Sequence, residues 1–108
     1  MFARHVTMHL KPNTRAEFTQ TIENEVLPVL RKQHGFQDEI VFVAPGSGTY
    51  GIAISLWDKK EDADAYLSGS YPEVLKALAK VVEGTPEVRN FEVAHSTLQK
   101  KPAALVAA

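Results

Sequence analysis

Residues 36–57 read FQDEIVFVAPGSGTYGIAISLW, and the way they divide sets the architecture. Two strand-like segments, about 36–44 and 49–57, flank Pro45-Gly46-Ser47-Gly48, four turn-forming residues, so the stretch reads as a β-hairpin. Alternation then sorts each strand. In the later one, Tyr50, Ile52, Ile54 and Leu56 share one face, and Thr49, Gly51, Ala53, Ser55 and Trp57 share the other. In the earlier one, Ile40 and Phe42 oppose Val41 and Val43. Neither central stretch shows a charge on either face, which is the pattern of strands covered on both sides.

Working outward, residues 2–10 (FARHVTMHL) are strand formers ended by Lys11-Pro12-Asn13. Thr14 opens TRAE, a capping box in which Glu17 would reach back to the Thr14 amide. Phe18, Ile22, Val26, Val29 and Leu30 then recur at helical spacing, with a kink expected at Pro28 and a C-terminal cap at Gly35. After Trp57, Asp58 and Glu61 repeat the capping pattern. Ala63, Tyr66 and Leu67 carry a short helix to Gly69, and Ser70-Tyr71-Pro72 restarts it. Val74, Leu75, Leu78, Val81 and Val82 form its buried stripe, which Gly84 closes. Residues 87–98 (EVRNFEVAHSTL) are read as the last strand. One domain is expected over 1–98. The tail, 99–108, has no period and is expected to be disordered or packed on a partner subunit.

The order strand, helix, strand, strand, helix, strand folds most simply into a ferredoxin-like α+β domain. Its four-stranded antiparallel sheet would run fourth, first, third, second, with both helices on one face. The other face would leave several large apolar side chains in water, each forgoing roughly 1.5–3 kcal/mol. A second copy laid sheet to sheet removes that loss. A homodimer is therefore expected.

The totals exclude several classes. With 12 basic and 13 acidic residues in 108, and no basic face, nucleic acid is not an expected partner. With no cysteine there is neither a disulfide framework nor a thiolate metal site. No apolar run approaches the ~20 residues that cross a bilayer. The first residues lack the apolar stretch of a secretory signal, so a cytoplasmic location is expected.

The segments VLPVLRKQHGFQDEIVF, ISLWDKKEDADAY and EVRNFEVAHSTL resemble the antibiotic-biosynthesis-monooxygenase-like (ABM) superfamily of dimeric α/β barrels. Gly35-Phe36 and Trp57-Asp58 carry the likeness best. The superfamily so resembled includes cofactor-free quinone-forming monooxygenases, haem-degrading enzymes and many members with no assigned activity. Haem degraders of this superfamily pair a tryptophan at the Trp57 position with a histidine on the next helix and an asparagine on the first strand. Residues 58–69 contain no histidine and residues 2–10 no asparagine, so haem degradation is disfavoured. The cofactor-free oxygenases need an apolar pocket, polar groups for the substrate oxygens and a proton acceptor, and no cofactor. Trp57 and Tyr66 would supply pocket wall and hydrogen-bond donor.

Topology alone places His5, Trp57 and His95 at one end of the sheet, with His34 nearby and His9 toward the other end. His5 or His95 is the candidate general base, since imidazole titrates near neutrality. The competing reading keeps them as satisfied or interfacial histidines. A metal is not expected, because Glu92 faces away from His95 and a third ligand is missing. An equal reading of Trp57 is a corner residue buried under the helix, and the two roles are compatible. Arg4 and Arg89, on edge or near-edge strands, are read as cross-dimer salt bridges or as contacts to an acidic ligand group. KKEDAD is a solvated first helical turn, and Gly46-Ser47-Gly48 is too short for a phosphate loop. Two functions stay open: a cofactor-independent monooxygenase acting on a small aromatic or polyketide-like substrate, or a non-catalytic small-molecule-binding or stress-related dimer of the same fold.

Overall fold

A computed structural model describes residues 1–46 and 49–97. The strands are β1 (Phe2–Leu10), β2 (Phe36–Val43), β3 (Tyr50–Trp57) and β4 (Val82–Glu92). The helices are α1 (Arg15–Thr21), α2 (Leu27–Arg31), α3 (Lys60–Ser68) and α4 (Tyr71–Leu78), with a π turn at Ile22–Val26 joining α1 to α2. The sheet order is β2-β3-β1-β4 and every pairing is antiparallel, as the sequence order implied. Ser47, Gly48, Leu98 and the tail at 99–108 lie outside the described residues.

Register decides the faces. Arg4, Val6, Met8, Ala53, Ser55 and Trp57 look toward the helices, whereas Ala3, His5, Ile52, Ile54 and Leu56 look away. Phe18, Ile22, Val26 and Leu30 bury the stripe predicted for the first helix, and Val74 and Leu78 bury that of α4. Between them Trp57, Phe18, Met8, Leu30 and Val81 are the largest side chains removed from water.

Several local expectations are corrected. Pro28 lies in the first turn of α2, and the helix widens just before it, with the Leu27 amide donating to the Ile22 carbonyl. A proline cannot donate to the carbonyl four residues earlier and its ring crowds that group, and the i→i+5 turn relieves the conflict at the point where a kink was expected. Neither capping pattern forms. Thr14 Oγ1 donates to the Lys11 carbonyl at 2.6 Å, and the cap of α3 is Lys59, without a side-chain hydrogen bond. The last strand begins at Val82 and ends at Glu92, where 87–98 was expected. Val82 and Gly84 therefore belong to β4 and not to the helix end. Gly84, at φ +69°, sits where β4 carries extra residues between its pairings with Thr7 and His9, a bulge that the left-handed conformation allows.

Gly35 links the first helix to β2 at φ +80°. A Cβ there would overlap the Asp62 carboxylate of α3, so glycine is required both for the turn and for the approach of α3. Gly35→Ala should destabilise the fold by about 1–3 kcal/mol in denaturant melts. Asp62→Ala in that background should restore only part, because the backbone conformation remains. Full restoration would show that the clash alone matters.

Candidate functional site

Four polar residues form a transverse row beneath the helices, one from each strand. Glu39 pairs with Ser55, Ser55 with Arg4, and Arg4 with Asn90. The neighbouring row on the same face, Val41, Ala53, Val6 and Val88, is apolar. A cavity of about 40 Å³ opens over this boundary. Arg4, Glu39, Ser55, Tyr66 and Tyr71 line its polar side, and Val6, Met8, Ile22, Val26, Leu30, Ala53, Val74 and Leu78 line the rest. The π turn supplies Ile22 and Val26, and the break between α3 and α4 at Gly69-Ser70 presents Tyr66 and Tyr71 from two helices.

Arg4 is 2% exposed and its guanidinium is satisfied from three directions. Nε donates to Asn90 Oδ1 at 2.8 Å, Nη1 to the Ala63 carbonyl at 2.6 Å, and Nη2 to Asp64 Oδ1 at 2.9 Å. A buried cation is tolerated only when paired and hydrogen-bonded in this way. Lys60, and after it Arg4, hold the Asp64 carboxyl below the usual carboxylate range. The cross-dimer salt bridge expected for Arg4 is thus an ion pair within the chain. Arg89 pairs at 2.7 Å with Glu87 on its own strand, both exposed, a contact of small energetic weight.

Glu39 differs from the rest of the row. Among the described residues it has no ion-pair partner, and burial pushes its carboxyl from 4.5 to about 7. Burial, helped by the Glu39 charge, raises the Tyr66 phenol well above its ordinary range, and burial also raises the Tyr71 phenol. Both tyrosines stay neutral hydrogen-bond donors at physiological pH. Glu39 can therefore gain or lose a proton near neutrality, in an apolar setting, beside two phenols.

The residues predicted for the site are only partly brought together. Tyr66 lines the cavity. Trp57 is fully buried behind it, with ring centroids 5.4 Å apart, and stacks edge-on to Phe36 at 5.6 Å. Its indole N–H donates to Ser55 Oγ at 2.9 Å, so Trp57 supports the cavity through Ser55 and Tyr66 without lining it. His5 lies on the opposite sheet face, edge-on to Phe91 at 6.0 Å, with Nδ1 buried and unpartnered among the described residues. His95 lies three residues past the end of β4 and is exposed. Neither imidazole reaches the cavity. His34 is exposed, with Nε2 3.8 Å from Asp62 Oδ1. Among the described residues no group of three His, Cys, Asp or Glu side chains could hold a metal ion, and no helix is long and apolar enough to cross a membrane.

Glu39 and Tyr71 were missed by sequence reasoning. The signal for Glu39 was its parity with Val41 and Val43. A bulge at Gln37, where Phe36 pairs with Trp57 but Asp38 with Leu56, hid it by bringing Phe36 onto the same face. Because the folded chain holds the Glu39 proton more tightly than the unfolded chain, its contribution is complete below pH 4.5 and is lost as pH rises through about 7. Glu39→Gln should remove a pH-dependent loss on the order of 2 kcal/mol, and melt above wild type at pH 8 but not at pH 4. Parallel melting curves for the two proteins across that range would contradict the burial of this carboxyl.

No family model and no curated protein matches the chain. Solved structures do. A cofactor-independent oxygenase from Streptomyces nogalater superposes with a TM-score of 0.73 at 17% identity, over 92% of this chain and 97% of that one. A monooxygenase from Streptomyces coelicolor, in complex with nanaomycin D, gives 0.75 at 17% identity, over 92% of each chain. A candidate antibiotic biosynthesis monooxygenase from Deinococcus radiodurans gives 0.72 at 15% identity, over 89% of this chain and 95% of that one. The chain has the ferredoxin-like α+β fold of the antibiotic-biosynthesis-monooxygenase structures, the superfamily its sequence resembles.

Proposed function

We propose that the chain is a cofactor-independent monooxygenase acting on a small aromatic or polyketide-like substrate, with Glu39 as the proton acceptor. The observation that carries this reading is the position of the half-buried Glu39 carboxyl, which loss of solvent raises to about 7, at the polar end of an apolar cavity. General bases work best when their pKa lies near the operating pH. The names of similar structures, a cofactor-independent oxygenase and a monooxygenase bound to nanaomycin D, support it.

A substrate hydroxyl beside Glu39 gives its proton to the carboxylate, and resonance moves the electron pair to a ring carbon. That carbon passes an electron to dioxygen, recombines with the reduced oxygen and loses water. For an anthrone-like methylene the balance is CH2 plus O2 giving C=O plus H2O. Four electrons leave the carbon, one oxygen atom stays on it, and the other leaves as water. Tyr66 and Tyr71 remain protonated and donate to the developing oxyanion, a contribution that grows in a site shielded from water. Ser55, held by Trp57, completes the polar end. The proton-accepting role first read for His5 and His95 passes to Glu39, and the wall role of Trp57 becomes support from behind.

A non-catalytic binding dimer is the second reading. The small cavity and the packing of Trp57 between Phe36 and Tyr66 favour it. Oxygen uptake with a dihydroxynaphthalene and an anthrone decides between the two. Uptake above the uncatalysed rate is expected, with Glu39→Gln lowering kcat by roughly 10²–10⁴. The double variant His5→Ala, His95→Ala should stay within about threefold of wild type, since neither imidazole meets the proton in flight. No uptake across the panel, or full activity in Glu39→Gln, would overturn the oxygenase reading.

The proposal includes a homodimer through the open sheet face, in a cytoplasmic setting. Phe42, Tyr50 and Phe91 on that face are 50%, 39% and 51% exposed, beside Ile52, Ile54 and Leu56. Sedimentation should give two chains per particle, and Phe42→Asp with Phe91→Asp should give one. A wild-type monomer at micromolar concentration would remove the dimer from the proposal.

A further inference from the structure

An arginine in the wall of an apolar cavity ordinarily suggests an anionic ligand. Here the geometry argues otherwise. One N–H from each Arg4 nitrogen is already engaged, by Asn90, the Ala63 carbonyl and Asp64, and the Asp64 carboxylate balances the charge. Lys60 Nζ also binds Asp64, at 2.7 Å, but on its exposed side. The ionisable group left facing the cavity without an ion-pair partner among the described residues is Glu39. An anion beside it meets like charge across a poorly screened gap. A neutral hydroxyl can donate to it.

We propose that Glu39 makes the cavity charge-selective: it takes an uncharged ligand that donates a hydrogen bond to the Glu39 carboxylate, and it rejects carboxylates. This rests on reading the cavity as a ligand site. The hydroxyl docks at the polar row and the ring lies against Met8, Ile22, Val26 and Leu30. Size limits the occupant as well. At about 40 Å³ the cavity holds a few waters, whereas a cavity of roughly 150 Å³ accommodates a benzene ring. Even one ring must displace lining side chains, so the probes are kept to a single ring. The carboxyl also fits an ammonium group, but an ammonium loses far more hydration than a hydroxyl on entering a cavity with apolar walls.

The test uses four ligands of one shape: 4-methylphenol, 4-methylbenzoate, 4-methylbenzylamine and toluene. Binding is read at pH 8 by calorimetry and by the fluorescence of Trp57, the only tryptophan, which touches Tyr66. The phenol should bind at least about tenfold more tightly than the benzoate, and about fivefold more tightly than toluene, which has no donor. Glu39→Gln should bring phenol and benzoate within about threefold of each other, chiefly by improving the benzoate, because an amide accepts the same hydrogen bond without the repulsion. Melting curves establish that the variant is folded. Benzoate binding as tight as phenol, tightest binding of the amine, an unchanged gap in the variant, or no binding of any of the four would each overturn the proposal. Its failure is separate from that of the oxygenase reading. Selective phenol binding without oxygen uptake sinks only the catalysis, and anthrone turnover without charge preference sinks only the filter.

Discussion

The buried guanidinium of Arg4 is the constraint on which the arrangement turns. A cation at 2% exposure must find partners, and it finds them on β4 at Asn90 and on α3 at Ala63 and Asp64. One side chain thereby ties the middle of the sheet to an outer strand and to the helix above. Because α3 is held there, Tyr66 rests on Trp57, and Trp57 in turn fixes the Ser55 hydroxyl. Losing Arg4 would leave several groups unsatisfied together, in a region with little water to replace it.

That tether explains why the cavity is polar at one end only. The row containing Arg4 runs Glu39, Ser55, Arg4, Asn90, and the next row is wholly apolar. Arg4 and Asn90 satisfy each other, Ser55 is taken by Trp57, and Glu39 remains at the β2 end, where the hydrogen-bonded row meets the cavity. Its raised pKa follows from that position: burial disfavours the charged form, and among the described residues no cation pairs with it. A carboxyl so placed weakens the folded state above neutrality, a cost of the kind that functional sites carry and structural cores avoid.

The two faces of the sheet do different work. The helix-facing side encloses the cavity and the aromatic group of Phe36, Trp57, Tyr66 and Tyr71. The open side carries His5, Ile52, Ile54, Leu56 and Phe91, an apolar surface with a buried imidazole nitrogen unpartnered among the described residues. A histidine one residue from Arg4 in sequence is therefore a sheet's thickness away from the cavity. Alternation along a strand, more than distance along the chain, separates the groups that can share chemistry.

By itself the sequence determined the element order, the hairpin at 36–57, the helix stripes through Phe18, Ile22, Val26 and Leu30, and through them the sheet order. Those features depend on periodicity and turn chemistry, which are local and survive in a single chain read alone. It also showed that the central stretches of β2 and β3 carry no charge on either face, and for the same reason it left open which face of β2 looks inward. Only the tertiary structure decided that, through the bulge at Gln37, which brings Phe36 and Glu39 to the same side. It likewise decided that Pro28 is absorbed by a π turn, that Gly84 lies in a strand bulge, and that neither His5 nor His95 meets Tyr66. Each of these depends on long-range register and on which groups compete for the same buried space, and neither quantity is encoded in the spacing of residues along the chain.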